Sequence, residues 1–533
     1  MRRVVVAGLI VTCLVAGAAR AAIFRGTDGN DLIVGTAVAD TIYGLAGDDV
    51  VDARGDADLV NPGFGRDRVL GAAGADRIAA QDGNVDSVSC GAGLDIVTAD
   101  LEDVVGADCE TVSRQVARDR TELWFAQHAT QVEPDSFAWG RAIVAAFQNG
   151  RIDRGGAAAL GWAASVDAGA HWRSGVLPQG QYTVVSDPVV AFDAMHGVWL
   201  AAGLGSGPGT LDIYVVRSRD GVTWSGPLVA AGDVSEDYDK EWLACDNGLR
   251  SPFRGRCYLA YVDIKTRWLA VRHSTDGGAT WTAPVRLQPG VAKSTFSGPM
   301  PTVQPDGNVV IPYALFAPIN GEDRVASVAS ADGGETFAAP VRVASLIAEE
   351  PMDIRAPAMP AADVDGAGRL YVAWQDSRFR REDGVGNDIV FASSQDGVTW
   401  SDPSRIRLPE SSQYFLPALA VDPATSGSNA HLAVAFYSMH LRAGCTVFVP
   451  GCADELDAWL VESKDAGSKW SPPRRLNAEP MQLEWLAETS LGRMLGDYIS
   501  VSFVGGKAVP VLALSGEPSV GGYAEAVFAV GVR

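Results

Sequence analysis

Hydrophobic residues along most of this chain occur in short runs that are separated by glycine, proline and aspartate. Three consecutive runs show the pattern, namely DPVVAFD (187–193), GVWLAAG (197–203) and IYVVRS (213–218). Runs of this length, rich in valine, alanine and tyrosine, are typical of β-strands. The pattern therefore predicts an all-β fold that is built from many short strands.

A short phrase recurs six times among these strand runs, pairing a serine with an aspartate two residues later and then with glycine and an aromatic residue. The copies are SVDAGAHW (165–172), SRDGVTW (218–224), STDGGATW (274–281), SADGGETF (330–337), SQDGVTW (394–400) and SKDAGSKW (463–470). Asp-Gly between two strands marks a hairpin turn, because glycine accepts positive φ and aspartate bonds the backbone that follows it. Each interval between copies leaves room for one four-stranded sheet.

The six copies resemble the Asp box, S-x-D-x-G-x-x-W, of the BNR-repeat, sialidase-like β-propellers. The resemblance covers residues 124–533 and implies four-stranded blades, with the box on the turn between the third and fourth strands, away from the channel mouth. A seventh set of strands follows the last box at 496–503, 507–514 and 524–530. We expect TELWFAQ (121–127) to supply the fourth strand of that set, which favours seven blades over six.

A second periodicity occupies residues 26–110, where an aspartate recurs every nine residues, with one inserted residue before the seventh copy. An aliphatic residue follows two positions after each aspartate. The unit resembles the G-G-x-G-x-D-x-U-x nonapeptide of repeats-in-toxin (RTX) proteins, which implies a parallel β-roll that binds Ca²⁺ through carboxylates and glycine-turn carbonyls. The implied metal ligands are Asp31, Asp40, Asp49, Asp58, Asp67, Asp76, Asp86 and Asp95.

Two observations qualify the calcium prediction. Val38 and Asp56 replace a glycine in their units, so we do not expect every site to be filled. The alternative interpretation is an acidic, solvated linker, but a linker has no reason to keep a nine-residue phase over eight units.

The N-terminus resembles a secretory signal peptide. Arg2 and Arg3 precede an apolar stretch that ends in Ala19-Arg20-Ala21, and the stretch is shorter than the roughly 20 residues of a membrane anchor. We expect export and no membrane span after cleavage. The expected domains are a signal peptide (1–21), a calcium-binding roll (22–111), a linker (112–123) and a propeller (124–533).

The composition agrees with export and excludes some classes of binding partner. The formal charge is −22, which argues against nucleic acid or an anionic membrane as a partner. Six of the seven cysteines lie outside the predicted signal peptide and fall into close pairs. Proximity predicts the disulfides Cys90–Cys109, Cys245–Cys257 and Cys445–Cys452, although six cysteines allow fifteen pairings.

A ligand is expected where the first strands of successive blades begin, because these openings converge at one mouth of the channel. Carboxylates dominate the openings. The openings and the neighbouring loop carry Glu133, Asp187, Asp239, Lys240, Glu241, Pro299, Asp353, Arg355, Phe415, Asp497, Tyr498, Trp374, Asp376 and Arg378.

The sialidase resemblance implies a tyrosine nucleophile with a glutamate partner, an aspartate acid and an arginine clamp. Tyr498, Glu241, Asp187 and Arg355 are the candidates for these roles. However, the Arg-Ile-Pro motif of sialidases is missing from the sequence and an arginine triad cannot be matched. Two hypotheses stay open: a secreted glycoside hydrolase acting on extracellular glycans, and a non-catalytic propeller that binds carbohydrate or protein at its mouth. A third interpretation is that these charges are packing features between blades.

Overall fold

The computed structural model describes residues 10–11, 21–288, 293–318, 321–351, 353–380, 386–440, 455–518 and 522–532. The chain divides into two compact units. The first comprises Met1–Val116, Arg475–Met481 and Phe528–Arg533, and the second comprises Ala117–Arg474 and Gln482–Val527. Apart from single 3₁₀ turns at Gly427–Asn429 and Leu483–Trp485, the described elements are all β-strands, as the sequence predicts.

The first unit contains a roll of two parallel sheets between which the chain alternates. One sheet has the order β1-β3-β5-β7-β9-β11, and the other joins β2, β4, β6, β8, β10 and β12 in parallel pairs. The strands are β1 (Ile10–Val11), β2 (Ile23–Arg25), β3 (Leu32–Val34), β4 (Thr41–Tyr43), β5 (Val50–Asp52), β6 (Leu59–Asn61), β7 (Arg68–Ala73), β8 (Arg77–Ala80), β9 (Ser87–Ala92), β10 (Ile96–Ala99), β11 (Val104–Val105) and β12 (Thr111–Gln115).

The nine-residue repeat is therefore one half-coil of the roll. Its aliphatic residue points inward in each half-coil, and Ile42, Val51, Val60, Val69 and Ile78 are completely buried. This core is only one side chain thick, so the spacing between coils depends on what lies in the turns.

The last coils of the roll are stapled by the disulfide Cys90–Cys109, as predicted. Beyond them, β12 pairs antiparallel with the end of β43 (Glu525–Val532). The prediction that residues 121–127 supply this strand is wrong. The N–H of Ala126 donates to the carbonyl of Leu123, which closes a turn where an extended strand was expected.

The second unit is a succession of antiparallel sheets, mostly four-stranded, in chain order. The first three sheets are β13 (Gln127–Trp139), β14 (Ala142–Arg151), β15 (Ala157–Ser165) and β16 (Arg173–Val176); β17 (Val184–Asp193), β18 (Val198–Gly207), β19 (Thr210–Ser218) and β20 (Leu228–Ala231); and β21 (Tyr238–Cys245), β22 (Cys257–Asp263), β23 (Trp268–Ser274) and β24 (Val285–Leu287). The next three are β25 (Thr295–Ser297), β26 (Thr302–Val303), β27 (Val309–Phe316), β28 (Arg324–Ser330) and β29 (Val341–Ser345); β30 (Ala361–Val364), β31 (Leu370–Asp376), β32 (Asp388–Ser394) and β33 (Ser404–Arg405); and β34 (Ser412–Val421), β35 (Leu432–His440), β36 (Glu455–Ser463), β37 (Arg474–Arg475) and β38 (Met481–Gln482).

The remaining strands follow the sixth sheet. A small hairpin of β39 (Ala487–Thr489) and β40 (Gly492–Met494), which we call the mouth hairpin, precedes the last sheet. That sheet begins with β41 (Ser500–Val504) and β42 (Lys507–Ser515), which pair antiparallel, and β43 follows them. The strand runs that the sequence predicts in this region are confirmed.

Each of the six Asp boxes lies between the last two strands of the path through its sheet: the third and fourth strands in five sheets, as the resemblance implies, and β28 and β29 in the five-stranded fourth sheet. In each box the serine hydroxyl donates to the aspartate two residues later, at 2.8–3.0 Å. The aspartate then accepts backbone N–H groups from the end of the turn, for example from Thr280 to Asp276 at 2.9 Å. The boxes are structural turns, and they leave the other end of each sheet for a site.

Two predicted features fall largely or wholly on residues that the structure does not describe. The predicted signal peptide is described only at Ile10, Val11 and Ala21, and the predicted disulfide Cys445–Cys452 lies entirely in the undescribed segment 441–454. The predicted disulfide Cys245–Cys257 is formed, across β21 and β22. No helix in the described part of the chain is long and apolar enough to cross a membrane.

Candidate functional site

The repeated aspartates of the roll form a ladder of two rows, one for each half-coil: Asp31, Asp49, Asp67 and Asp86 in one row, and Asp40, Asp58, Asp76 and Asp95 in the other. In each step, one carboxylate oxygen (Oδ1) accepts the backbone N–H of the aspartate one full coil earlier, so Asp49 bonds Asp31 and Asp67 bonds Asp49, both at 2.7 Å. The same bond recurs at 2.7–2.9 Å in the pairs 58/40, 76/58, 86/67 and 95/76. One oxygen of each carboxylate is thus held in place by the fold.

The second carboxylate oxygen has no hydrogen-bond partner in most of the ladder. The buried, unpartnered Oδ2 atoms belong to Asp49, Asp58, Asp67, Asp76, Asp86 and Asp95. Asp31 and Asp40 differ, because Thr27 and Thr36 donate both a backbone N–H and a hydroxyl to their Oδ2 atoms. A buried polar atom without a partner is rare in a native protein, and six such oxygens in two rows, without a partner among the described residues, call for a ligand.

Burial has a direct electrostatic effect on these carboxyls in the absence of a cation. It raises the pKa of Asp49 to about 6, of Asp58 and Asp67 to about 7 and of Asp86 to about 8, with neighbouring carboxylates adding to the rise. The charged form is therefore poorly stabilised by the protein alone, and a cation beside each Oδ2 would reverse that.

Glycines in the turns leave an oxygen-lined space beside these aspartates. A Cβ on Gly44 would lie 2.0 Å from the carbonyl oxygen of Pro62 and 2.5 Å from Asp49 Oδ2. At Gly71 the corresponding distances are 2.6 Å to the Cys90 carbonyl oxygen and 2.7 Å to Asp76 Oδ2. A carbonyl oxygen of the next coil and an unpartnered carboxylate oxygen thus lie beside each of these glycines, and both are hard oxygen ligands of the kind that calcium binds.

The donor set also limits which metal fits. Across the described residues, three or more His, Cys, Asp or Glu side chains nowhere come together as a metal-binding group. A metal in the roll would therefore take most of its ligands from backbone carbonyls, with one or two carboxylates. Calcium binds hard oxygen ligands in a variable number, whereas zinc prefers nitrogen and sulfur ligands in a tetrahedral arrangement, so this set of oxygens suits calcium and does not suit zinc.

The ladder continues beyond the predicted aspartates. Asp103 Oδ1 accepts the N–H of Asp86 at 2.9 Å, and Glu110 Oε2 accepts the N–H of Asp95 at 3.0 Å. Burial raises the pKa of Asp103 to about 7. The nine-residue count could not find these two residues, because the last coils are shorter than eighteen residues.

In the second unit, the first strands of the first three sheets each carry a charged residue with left-handed backbone. Glu133 has φ 53°, Asp187 has φ 51° and Lys240 has φ 54°, and each lies at an irregularity in the pairing with the second strand. Non-glycine residues adopt this conformation at a cost of about 1–3 kcal/mol, which proteins tolerate mainly at functional positions. The three residues occupy equivalent positions, so their side chains meet at one end of the sheets, which we call the mouth.

Lys240 and Asp497 are the centre of the mouth. The Lys240 ammonium lies 2.6 Å from Asp497, 3.5 Å from Asp187 and 3.6 Å from Asp239. Arg355 approaches Asp497 from the other side with two donors, its Nε at 2.6 Å and its terminal nitrogen in a second contact. Sequence segments more than 250 residues apart, DKEW and GDY, are therefore joined by one buried ion pair.

Glu133 lies behind this ion pair. One carboxyl oxygen accepts the backbone N–H of Asp497 at 3.1 Å, and the other accepts the amide of Gln148. Gln148 also donates to the hydroxyl of Ser186 at 3.1 Å, and that hydroxyl donates to Asp187 at 2.5 Å. A continuous hydrogen-bonded floor thus connects the mouth residues of three sheets.

The surroundings of this floor shift the pKa values of two of its carboxyl groups, Glu133 and Asp497, in opposite directions. Burial, with the nearby Asp497 and Asp187 carboxylates, raises the pKa of Glu133 to about 8. Burial acts in the same direction on Asp497, but the Lys240 and Arg355 cations outweigh it and lower the Asp497 pKa to about 2. Although burial disfavours the ammonium of Lys240, the surrounding carboxylates raise its pKa well above the usual value. At neutral pH, Glu133 is largely protonated and the ion pair is fully charged.

The four residues predicted from the sialidase resemblance lie around this cluster, but the tyrosine and the glutamate are not hydrogen-bonded to each other. The Tyr498 hydroxyl donates to the carbonyl of Pro188 at 2.9 Å, and its ring contacts Trp242. Glu241 is 1 % exposed and neither carboxyl oxygen has a hydrogen-bond partner among the described residues. Burial raises the pKa of both groups well above their usual values.

The other predicted mouth residues divide into buried and accessible ones. Trp374, Asp376 and Phe415 are completely buried, and Asp376 is paired with Arg378 at 2.7 Å. By contrast, 42 % of the Asp239 side chain and 24 % of the Arg355 side chain are exposed. A ligand at the mouth therefore meets Asp239 and Arg355 before it meets any buried carboxyl.

Comparison with known proteins identifies two family models and several solved structures. Residues 193–416 match the BNR repeat-like domain, and residues 25–60 and 63–84 match the RTX calcium-binding nonapeptide repeat (four copies). No curated protein matches the chain.

Solved structures that resemble this one do so at low identity. A protein of unknown function from Dyadobacter fermentans is 16 % identical over 80 % of this chain and 98 % of its own, with a TM-score of 0.42. A Hadza microbial sialidase is 14 % identical over 70 % of this chain and 74 % of its own (TM-score 0.40), and an ulvan lyase is 12 % identical over 77 % and 96 % (TM-score 0.45). At these TM-scores the likenesses carry no conclusion about activity. The chain thus carries RTX calcium-binding nonapeptide repeats within residues 25–84 and a BNR repeat-like domain in residues 193–416.

Proposed function

We propose that this chain is an exported protein in which a calcium-loaded roll, residues 22–111, is joined to a seven-bladed sialidase-like propeller, residues 124–533, that binds an extracellular carbohydrate at its mouth. The observation that carries the calcium part is the two rows of buried carboxylate oxygens, six in all, that have no hydrogen-bond partner among the described residues. Asp49, Asp58, Asp67, Asp76, Asp86 and Asp95 would hold the ions together with carbonyls of the glycine turns. Bound calcium supplies the positive charge that these buried carboxylates lack.

The calcium part is tested by isothermal titration of the metal-free full chain with calcium. We expect binding of several ions. Magnesium should bind far more weakly, because it requires octahedral coordination with metal–oxygen distances of about 2.0–2.1 Å, which the carbonyls of the roll fit poorly. The variant Asp67→Asn removes one unpartnered oxygen and should lower the number or the affinity of the ions, whereas Asp402→Asn, at an exposed position of the second unit, should change neither. Absence of calcium binding to the full chain would refute this part.

Carbohydrate binding at the mouth is supported by the contrast between its buried floor and its accessible rim. Glu133, Asp187 and Asp497 are 1–4 % exposed and engaged in hydrogen bonds or ion pairs, so a ligand cannot displace them easily. Asp239 and Arg355 offer an acceptor and several donors above that floor. A rigid floor with a few exposed polar groups suits recognition of hydroxyl groups.

Glycoside hydrolysis is the second candidate, and one specific observation favours it. Two carboxyl groups whose pKa values are driven apart, such as Glu133 at about 8 and Asp497 at about 2, are what acid/base cleavage of a glycoside requires. For this activity a conformational change would have to bring substrate to Glu133, which is 1 % exposed.

A panel of fluorogenic glycosides, including a sialoside, distinguishes the two candidates in the presence of calcium. Under the binding proposal no glycoside is turned over, while oligosaccharides bind and Asp239→Ala weakens them. Under the hydrolase candidate, turnover is present and is lost in Glu133→Gln. In this variant one amide oxygen can accept from Gln148 or from the Asp497 N–H but not from both, so the loss of turnover is read together with the circular dichroism spectrum, which should stay that of the folded protein.

Export and the undescribed disulfide have separate tests. N-terminal sequencing of the secreted protein should begin at Ala22, and a mass map of the non-reduced protein should show a Cys445–Cys452 peptide. Free thiols at these two cysteines would contradict the predicted pairing.

A further inference from the structure

An exposed turn directly before the first sheet carries two large aromatic residues. The N–H of Ala126 donates to the carbonyl of Leu123 at 2.9 Å, which makes Trp124 and Phe125 the two central residues of a four-residue turn. Trp124 is 88 % exposed and Phe125 is 42 % exposed, and their rings meet edge to face at 5.6 Å. We call Leu123–Ala126 the aromatic turn.

The composition of this turn has no explanation in the fold. Proline, asparagine, aspartate and glycine are the residues that favour central turn positions, because their side chains or backbones stabilise the bend. An almost fully exposed tryptophan instead leaves a large apolar surface in water, where burial would have been favourable. The two rings contribute nothing to the core, which suggests that they contact a ligand.

The aromatic turn is held rigidly on both sides. Before it, the hydroxyl and the N–H of Thr121 donate to Asp119 at 2.7 and 2.8 Å. After it, the Gln127 side chain makes two hydrogen bonds with the backbone of Glu488, donating at 2.7 Å and accepting at 2.9 Å. A fixed aromatic surface loses little conformational entropy when a ligand stacks on it.

Those last two bonds also connect the aromatic turn to the mouth. Glu488 lies in the mouth hairpin, whose other strand contains Arg493. The N–H of Arg493 donates to Asp353 at 2.8 Å, and the N–H of Arg355 donates to Arg493 at 2.7 Å. Each strand-to-strand step is about 4.8 Å and the chain from residue 124 to 127 spans about 10 Å at most, so Trp124 lies within about 25 Å of Arg355.

We propose that Trp124, supported by Phe125, is an outer subsite that stacks against a sugar ring of an oligosaccharide whose end occupies the mouth. This rests on carbohydrate binding at the mouth, as proposed above, and adds the class of ligand: an uncharged chain of several sugars. The charges beside the aromatic turn favour an uncharged ligand, because residues 118–122 contain two arginines and two acidic residues and are therefore neutral overall. The chain as a whole carries a formal charge of −22. A polyanionic glycan would be repelled by that overall charge.

The test measures binding of cellohexaose, xylohexaose and α-1,5-arabinohexaose to the calcium-loaded full chain by calorimetry, each with its disaccharide. The Trp124→Ala variant should weaken the bound hexasaccharide about tenfold, as expected for loss of one stacked ring, and Trp124→Phe should keep most of the affinity. The disaccharide should bind equally to both variants, because it reaches only the mouth. Leu249→Ala is the matched control: this exposed apolar residue lies between the first and second strands of the third sheet, at the end opposite the mouth, and should change nothing.

The outcomes distinguish the subsite from the mouth. Hexasaccharide binding that is unchanged in Trp124→Ala overturns the subsite and leaves the mouth proposal standing. Loss of binding in Trp124→Ala with no effect of Asp239→Ala would make Trp124 part of a separate sugar site, and it would overturn both the mouth proposal and the outer subsite that extends it. Binding of a heparin hexasaccharide in place of the neutral ones, or of none of these sugars, overturns the assignment to an uncharged oligosaccharide.

Discussion

Removing calcium from the full chain should unfold the roll at pH 8 but leave it folded at pH 4. The reason is the burial of its aspartates, which in the metal-free protein raises their pKa values, to about 6 for Asp49 and Asp76, to about 7 for Asp58 and Asp67, and to about 8 for Asp86. Each of these carboxyls has a pKa of about 3.9 in an unfolded chain.

The size of the effect follows from these shifts. One pKa unit corresponds to about 1.36 kcal/mol, so each carboxylate that is charged at pH 8 destabilises the metal-free roll by roughly 3 to 6 kcal/mol as an upper estimate. A domain is typically stable by about 5 to 15 kcal/mol, so two or three such carboxylates are enough to unfold a small one.

The direction of the pH dependence is the reverse of the usual one for aspartate. Because the folded-state pKa lies above the unfolded one, the protonated roll keeps its full stability below about pH 4 and loses it progressively as the pH rises from about 4 to the folded-state pKa values of about 6 to about 8. Calcium should remove this dependence, since the bound ion stabilises the charged carboxylates.

Hydrogen exchange read by mass spectrometry is a suitable assay, because it reports on roll and sheet peptides of the same intact chain. In calcium-free buffer, peptides of residues 22–111 should be protected at pH 4 and should exchange freely at pH 8, while peptides of the first three sheets stay protected. Asp67→Asn should increase protection at pH 8 without calcium and weaken calcium binding, and Asp402→Asn, at an exposed position of the second unit, should do neither. Equal protection of the wild-type roll at pH 8 with and without calcium would refute the reasoning.

Two further predictions concern single positions. Gly44→Ala would place a methyl group 2.0 Å from the carbonyl oxygen of Pro62 and should destabilise the roll by roughly 1–3 kcal/mol. In a proteolysis assay, the calcium concentration that gives half-maximal protection of the roll should therefore rise. Gly29→Ala is the control and should be tolerated, because the nearest neighbour of its methyl group would lie at 3.9 Å. Lys240→Met leaves Asp497 without one of its two cations and should lower stability in guanidinium unfolding by about 3–5 kcal/mol. Adding Asp497→Asn should recover part of that loss, and no recovery would mean that the two side chains are not energetically coupled.

The strands and the repeats were readable in the sequence because each depends on local residues. The Asp boxes predict their turns through a serine, an aspartate and a glycine within five positions, and the roll predicts its coils through a nine-residue phase. Both signals need only neighbours in the chain, and the structure bears out the turns of the boxes and the coils of the roll.

What the sequence could not predict depends on residues far apart in the chain. The bond between Lys240 and Asp497 joins segments 257 residues apart, and the left-handed backbone at Glu133 and Asp187 has no glycine to reveal it. The partner of the last strand was predicted wrongly for the same reason, because residues 121–127 have a strand-like composition and only the turn after Leu123 excludes them.

A crystal structure of the secreted chain grown with calcium, with anomalous differences measured, is the most direct test of the account. It should show calcium between the coils, bound to the second carboxylate oxygens of Asp49, Asp58, Asp67, Asp76, Asp86 and Asp95 and to carbonyls of the glycine turns. A roll with no anomalous peaks beside these oxygens, and with the same carboxylates bonded to protein groups or water instead, would contradict it.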